Sequence, residues 1–256
     1  MEVVILPDGD AIAALVADAI ERLLEAYPAA VLGLATGSSP LGVYAELVRR
    51  GLCFARASAF LLDEYIGLPV GHPQSYRSFI ERHFTGLVDI DPANVHVPEG
   101  AATDLVAACA QYEADIRAAG GVDLQLLGIG TDGHLGFNEP TSSLASRTRV
   151  KTLTRRTRDD NARFFADVSE VPAHVVTQGI GTILDARHLV LVAVGESKAE
   201  PIARAVEGPL TSMCPASALQ LHPHATVVID ERAAGRLALA GYYRDTFAGK
   251  PAWQHI

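Results

Sequence analysis

Short β-branched and leucine-rich runs alternate with amphipathic helical stripes along almost the whole chain, and this alternation narrows the possible folds more than any other feature. Strands are expected at Val3–Leu6, Val31–Ala35, Ala57–Leu62, Asp123–Ile129, Val175–Thr177, His188–Val194 and Thr226–Ile229. Between the first two, Ile12, Leu15, Val16, Ala19, Ile20, Leu23 and Leu24 lay one apolar stripe along a helix near Asp10–Tyr27. Leu41–Arg50, closed by Gly51, reads as a second helix. Ser75 is placed to cap a third running to about Phe84 and Thr103 a fourth running to about Ala119, while Ser197–Val206 reads as a fifth. Leu189–Val194 is apolar without interruption, as in a strand covered on both faces. The expected architecture is a three-layer α/β/α sandwich with a mostly parallel, Rossmann-like central sheet. No repeat, low-complexity tract or linker divides it, so one domain is expected over residues 1–256. The stretch from Gly130 to Pro172 is the least regular and is rich in Ser, Thr and Arg, so an active-site lid is expected within about residues 150–172.

With 256 residues, 49% of them apolar, the chain can build a core without disulfides or metals. No apolar run is long enough to cross a bilayer, and the amino terminus lacks the basic and apolar regions of a signal peptide. Cys53, Cys109 and Cys214 lie far apart and form no C-x-x-C pair. That spacing argues against a disulfide framework or a zinc knuckle and for a reducing, cytoplasmic setting. A net charge of −9 weighs against nucleic-acid or anionic-membrane binding. Yet Arg147 to Arg163 carries seven basic and two acidic residues, a strip that suits a small anion as well as a solvated surface.

In an open parallel sheet, ligands bind beyond the carboxyl ends of the strands. Four such places carry unusual chemistry: Thr36–Pro40, Asp63–Tyr65, Gly128–Glu139 and Gly195–Lys198. Thr36-Gly-Ser-Ser-Pro40 joins a strand to a helix whose first N–H groups are free, which suits a phosphate or a plain capped turn. It is not a Walker loop, because no Gly-Lys-Ser/Thr follows. Gly128-Ile-Gly-Thr-Asp-Gly133 spells G-x-G-x-x-G, but Gly136 and Pro140 break the helix a dinucleotide needs, and Lys151 stands where an acid should. Asp132, His134 and Glu139 put two carboxylates around an imidazole, able to fix its tautomer and let it take and return protons near neutral pH. The alternative is a structural histidine satisfied by a backbone carbonyl. Asp63-Glu64 closes an apolar strand, where desolvation can make a carboxylate a base, or where the pair can simply cap a helix. Lys198 and Arg163 are each suited to a phosphate. His222-Pro-His224 lacks partners for a metal site, and His72, His83, His96 and His174 read as ordinary polar residues.

Taken in order from about Val31 to Asp230, these motifs resemble the glucosamine-6-phosphate deaminase family. The likeness is carried by Thr36-Gly-Ser-Ser-Pro40, Leu62-Asp-Glu-Tyr-Ile-Gly67, His72-Pro-Gln-Ser-Tyr76 and Gly128-Ile-Gly-Thr-Asp-Gly-His-Leu-Gly-Phe-Asn-Glu-Pro140. Ser142-Ser-Leu-Ala-Ser-Arg-Thr-Arg149 and Leu219-Gln-Leu-His222 extend it. The resemblance implies conversion of glucosamine 6-phosphate and water to fructose 6-phosphate and ammonia in amino-sugar catabolism, without metal or cofactor. It implies that His134 opens the sugar ring, oriented and tuned by Asp132 and Glu139, and that Asp63 moves the C2 proton to C1. Thr36, Gly37 and Ser38 would cradle the phosphate, with Lys198 and Arg163 balancing its charge. Some members are hexamers activated by N-acetylglucosamine 6-phosphate. Here Ser142, Arg149, Lys151 and Thr152 match that second site, Tyr242 or Tyr243 stands near its carboxy-terminal tyrosine, and a homo-oligomer is expected. Three other readings stay open: a galactosamine-6-phosphate deaminase, a 6-phosphogluconolactonase-like hydrolase and a non-catalytic sugar-phosphate sensor. The hydrolase shares Gly-x-Asp-Gly-His but continues with Ala-Ser-Leu-Phe-Pro where this chain has Leu-Gly-Phe-Asn-Glu-Pro. A sensor does not require the full set of proton-transfer residues that this chain carries.

Overall fold

In the computed structural model, which describes residues 1–162, 165, 167–251 and 253–256 (the side chains of Arg156 and Asp160 aside), helices and strands follow in the expected alternation. The order is β1 (Glu2–Leu6), α1 (Gly9–Ala26), β2 (Val31–Leu34), α2 (Leu41–Arg50), β3 (Ser58–Leu61), β4 (Asp63–Tyr65), α3 (Tyr76–His83), β5 (Val95–His96) and α4 (Leu105–Ala118). Then come β6 (Leu124–Leu127), β7 (Arg149–Thr152), α5 (Arg155–Asn161), β8 (His174–Thr177), α6 (Ile180–Leu184), β9 (His188–Ala193), α7 (Ala199–Val206), β10 (Ala225–Asp230) and α8 (Ala240–Ala248).

Seven strands form a parallel sheet in the order β1-β10-β9-β6-β2-β3-β5. Its two faces are both covered, so the uninterrupted apolar run of β9 divides by alternation. Leu189, Leu191 and Ala193 pack on one face with Tyr112 and Ile116 of α4 and Ile202 of α7. Val190 and Val192 pack on the other with Ile12, Val16 and Ile20 of α1 and Tyr44 and Leu47 of α2. The chain is therefore the three-layer α/β/α sandwich that its periodicity implies. No helix among the described residues is long and apolar enough to cross a membrane.

Two local expectations are corrected. The fourth helix is capped by Asp104, whose side chain accepts from the Ala107 N–H at 2.9 Å, and not by Thr103. Both are good caps, and the one three residues before a free N–H at the first turn takes the role. The run Val175–Thr177 does not join the main sheet. It lies in β8, the centre of a second, antiparallel sheet of order β4-β8-β7. This small sheet also gives structure to the stretch that composition left irregular, since β7, α5 and a 3-10 turn at Val168–Glu170 all fall between Gly130 and Pro172. Ser75 does cap α3, accepting from the Ser78 N–H at 3.2 Å.

Candidate active site

Sheet order brings the four unusual strand ends together. β9, β6, β2 and β3 are consecutive neighbours and run parallel, so Gly195–Lys198, Gly128–Glu139, Thr36–Pro40 and Asp63 all emerge at one edge. The loop after β2 is held from below by the buried Tyr44 of α2. Its hydroxyl donates to the Ala35 carbonyl at 2.7 Å and accepts from the Ala35 N–H at 3.1 Å. Thr36 is half-buried, Gly37 and Ser38 are exposed, and no side chain caps α2 behind them. That leaves a helix start with positive potential at this edge of the sheet. Lys198 reaches across from the β9 end and donates from Nζ to the Ile129 carbonyl at 2.6 Å. Asp230 at the end of β10 steadies the turn that carries it, accepting from the Gly195 N–H at 2.9 Å. Arg163, the other expected phosphate ligand, lies outside the described residues.

The turn after β6 folds back on itself, with the Gly130 N–H donating to the His134 carbonyl at 3.0 Å and the Gly133 N–H to the Gly130 carbonyl at 3.0 Å. The His134 imidazole consequently lies flat over Gly130. A Cβ at residue 130 would stand 2.1 Å from the ring Cε1 and 2.3 Å from both ring nitrogens, so only glycine leaves room. Asp132 Oδ1 lies 2.7 Å from His134 Nδ1, close in distance though off the ideal N–H direction, and accepts from the His134 main-chain N–H at 3.1 Å. Burial works to raise the Asp132 pKa, yet the contacts with the His134 ring and N–H outweigh it and hold the carboxyl below its ordinary range.

Asp63 and Glu64 are adjacent and point to opposite faces of β4. Glu64 is spent on structure: it accepts from the Tyr65, Tyr76 and Arg77 N–H groups at 2.8–2.9 Å and so caps α3. Asp63 faces the loop after β6, 4% exposed, and burial followed by the Glu64 charge pushes its carboxyl well above the usual range. The loop after His134 lies over it. A Cβ on Gly136, whose φ is +56°, would stand 3.2 Å from Asp63 Oδ2 and 3.0 Å from Thr177 Oγ1. One loop thus passes both the imidazole and the buried carboxylate.

Glu139 sits differently from expectation. Its Oε1 accepts from the hydroxyls of Thr154, at 3.0 Å, and Thr157, both at the start of α5. It therefore ties the loop to α5, and only Asp132 of the two expected carboxylates touches the His134 ring. Ser142 is buried, its N–H bonded to the Glu139 carbonyl at 3.0 Å. Arg149 and Lys151 are half-buried on β7, and Thr152 is exposed. Register places Arg149 opposite Thr177 and Thr177 opposite Asp63, so all three share one face of the small sheet. His222 is committed to the fold, its Nε2 standing 2.8 Å from the Ala186 carbonyl.

Sequence reading passed over Tyr44, Asn138, Thr154, Thr157, Thr177, Gln178 and Asp230. Asn138 lies within the Gly128–Pro140 motif with no role of its own there, the others belong to no residue pattern that signals chemistry, and the importance of all of them comes from tertiary contacts.

Known proteins bear on this geometry. A sequence profile described as glucosamine-6-phosphate isomerases/6-phosphogluconolactonase matches residues 9–229. A protein of Pseudarthrobacter chlorophenolicus named glucosamine-6-phosphate deaminase is 63% identical, over all of both chains. A solved structure described as a monomeric glucosamine-6-phosphate deaminase superposes with a TM-score of 0.90 at 40% identity, covering 92% of this chain and all of the other. A 6-phosphogluconolactonase of Trypanosoma brucei reaches a TM-score of 0.76 at 18% identity over 93% of this chain and 98% of its own, a likeness of fold alone.

Proposed function

This chain belongs to the glucosamine-6-phosphate isomerase/6-phosphogluconolactonase family, and from that premise we propose that it is a glucosamine-6-phosphate deaminase. It converts glucosamine 6-phosphate and water to fructose 6-phosphate and ammonia. One observation carries the assignment to this chemistry. The loop bearing the Asp132–His134 pair also covers a separate, buried carboxylate, Asp63. Ring opening and C2-to-C1 proton transfer are distinct steps that need two separately placed acid–base groups. A lactone hydrolysis has no carbon-bound proton to move and leaves Asp63 without a task.

His134 passes a proton to the ring oxygen as the pyranose opens, and the low-pKa Asp132 carboxylate stabilises the imidazolium form. Asp63, whose basicity burial raises, takes the proton from C2 and returns it to C1 through an enolamine. Water adds to the resulting C2 imine, and ammonia leaves as the ketone forms. Thr36, Gly37 and Ser38, in the loop that leads into α2, receive the phosphate, with Lys198 and Arg163 as its cations. Glu139 acts through its hydroxyl contacts to α5, which serves as the lid of a single domain spanning residues 1–256. Cys53, Cys109 and Cys214 are free thiols, in keeping with a cytoplasmic setting.

N-acetylglucosamine 6-phosphate belongs to this proposal as an activator on Ser142, Arg149, Lys151 and Thr152, in a homo-oligomer. Support comes from two half-buried cations, Arg149 and Lys151, on the strand that lies across β8 from Asp63.

The test is ammonia and fructose 6-phosphate release from glucosamine 6-phosphate in chelator-treated buffer, with galactosamine 6-phosphate and 6-phosphogluconolactone as competitors. Equal release of both products from the glucosamine sugar is expected, and turnover of the lactone alone would overturn the assignment. Sedimentation and an activator titration on the same sample test the second site. A monomer with an unshifted saturation curve would remove both the activator and the oligomer.

A further inference from the structure

We infer that Gln178 is a positioning residue that sets Asp63 against the His134 loop, an inference resting on the deaminase reading above. The chain changes sheets at Leu62. The Leu62 N–H still donates to the Leu34 carbonyl of the parallel sheet at 3.1 Å, whereas the Leu62 carbonyl accepts from the Gln178 N–H at 2.7 Å. Asp63 follows directly, so this pair of bonds sets the direction in which its side chain leaves the backbone.

Gln178 adds its side chain to the same joint. Nε2 donates to the Leu61 carbonyl at 3.0 Å, and the buried Tyr112 hydroxyl donates to that carbonyl at 2.7 Å. The Gln178 carbonyl in turn accepts from Asn138 Nδ2 at 2.7 Å, and Asn138 Nδ2 also donates to the Leu135 carbonyl at 2.9 Å. A single residue, 1% exposed, thereby bonds both carbonyls before Asp63 and, through Asn138, the turn immediately after His134. The two acid–base groups lie far apart in sequence, and this amide joins them by hydrogen bonds, beside the contact of the Phe137 N–H with Thr177 Oγ1 at 3.2 Å. Buried amides with satisfied donors hold their partners rigidly, and reacting groups must be placed to within a fraction of an ångström.

Replacing Gln178 by Met keeps the side-chain length and the backbone bonds while deleting the donor to Leu61. With Gln178→Met, kcat should fall roughly 10- to 100-fold with KM within about twofold, because a misplacement of about 1 Å near the reacting atoms has that effect. The primary isotope effect with C2-deuterated glucosamine 6-phosphate should rise, as the C2 transfer becomes slower relative to ring opening. Asn138→Leu breaks the same link from the loop side and should give the same signature, which keeps the test available where the Gln178 variant does not fold. The double variant should be no slower than the worse single one. A folded variant with wild-type kcat, or with lowered kcat and an unchanged isotope effect, would overturn the positioning role. Wild-type protein that releases no ammonia would instead overturn the deaminase reading, so the two failures are distinguishable.

Discussion

Gly130→Ala isolates the place of the His134 ring. The backbone tolerates alanine there, because Gly130 is absent from the glycines with positive φ. The obstacle is the imidazole, whose Cε1 would stand 2.1 Å from the new Cβ and whose nitrogens would stand 2.3 Å away. Carbon contacts become favourable only near 3.5 Å, so the ring has to retreat by about 1.4 Å. Its Nδ1 then leaves Asp132 Oδ1, now 2.7 Å away. A displacement of roughly 1 Å is worth about 100-fold in rate, so kcat should drop by about two orders of magnitude, or about 2.7 kcal/mol of barrier. Stability should hardly change, since alanine restricts the unfolded chain by about 0.4–1 kcal/mol and offsets the local crowding. Ammonia release measures the rate, thermal unfolding the stability, and C2-deuterated substrate the step affected. Ring opening becomes limiting, so the isotope effect should fall toward unity, opposite to the Gln178 variant. Wild-type turnover by a normally folded Gly130→Ala would refute the claim that the ring works from its seat over this glycine.

Other substitutions probe the remaining groups. Asp63→Asn should abolish turnover while leaving binding of the sugar phosphate intact. Burial makes folded Asp63 keep its proton above the unfolded value of about 3.9, so the stability it lends is full below that pH and is lost as pH rises through the raised folded value. A neutral asparagine avoids this loss, and its Tm advantage over wild type should grow as pH rises above about 4. A constant difference would contradict a raised carboxyl. His188 is stacked on His224 at 3.7 Å and pushed down to about 3 by burial and then by His224, His222 and Lys250. The unfolded chain therefore binds this proton first, and stability present above about pH 6.5 is lost as pH falls toward 3. His188→Gln should flatten that acid limb by up to about 1.4 kcal/mol per pH unit, and an unaltered limb would assign the acid sensitivity elsewhere. Lys198→Ala should raise KM roughly tenfold or more, as expected for a charge-assisted contact. An equal penalty on unphosphorylated glucosamine would detach Lys198 from the phosphate.

Much of the molecule follows from short-range chemistry along the chain. The stripe from Ile12 to Leu24 makes α1, Gly51 ends α2 in a left-handed cap, and the apolar run of β9 requires cover on both faces. The small residues of Thr36–Ser39 and the Asp132–His134 spacing likewise suit an anion-binding turn and an acid–base pair, because turn geometry and neighbouring charges act within a few residues. The tertiary structure decided what depends on register between distant strands. Asp63 and Glu64 are both carboxylates at one strand end, and pairing of Asp63 with Thr177 sends the first under the His134 loop and the second to the start of α3. The antiparallel sheet hidden in a polar stretch arises because β7 finds its partner in β8, beyond α5 in the chain. Glu139 turns to Thr154 and Thr157 for the same kind of reason. Periodicity tells which residues share a face of one element, but a contact between elements exists only when both have been placed, and here those contacts set which carboxylate lies under the His134 loop and which caps a helix.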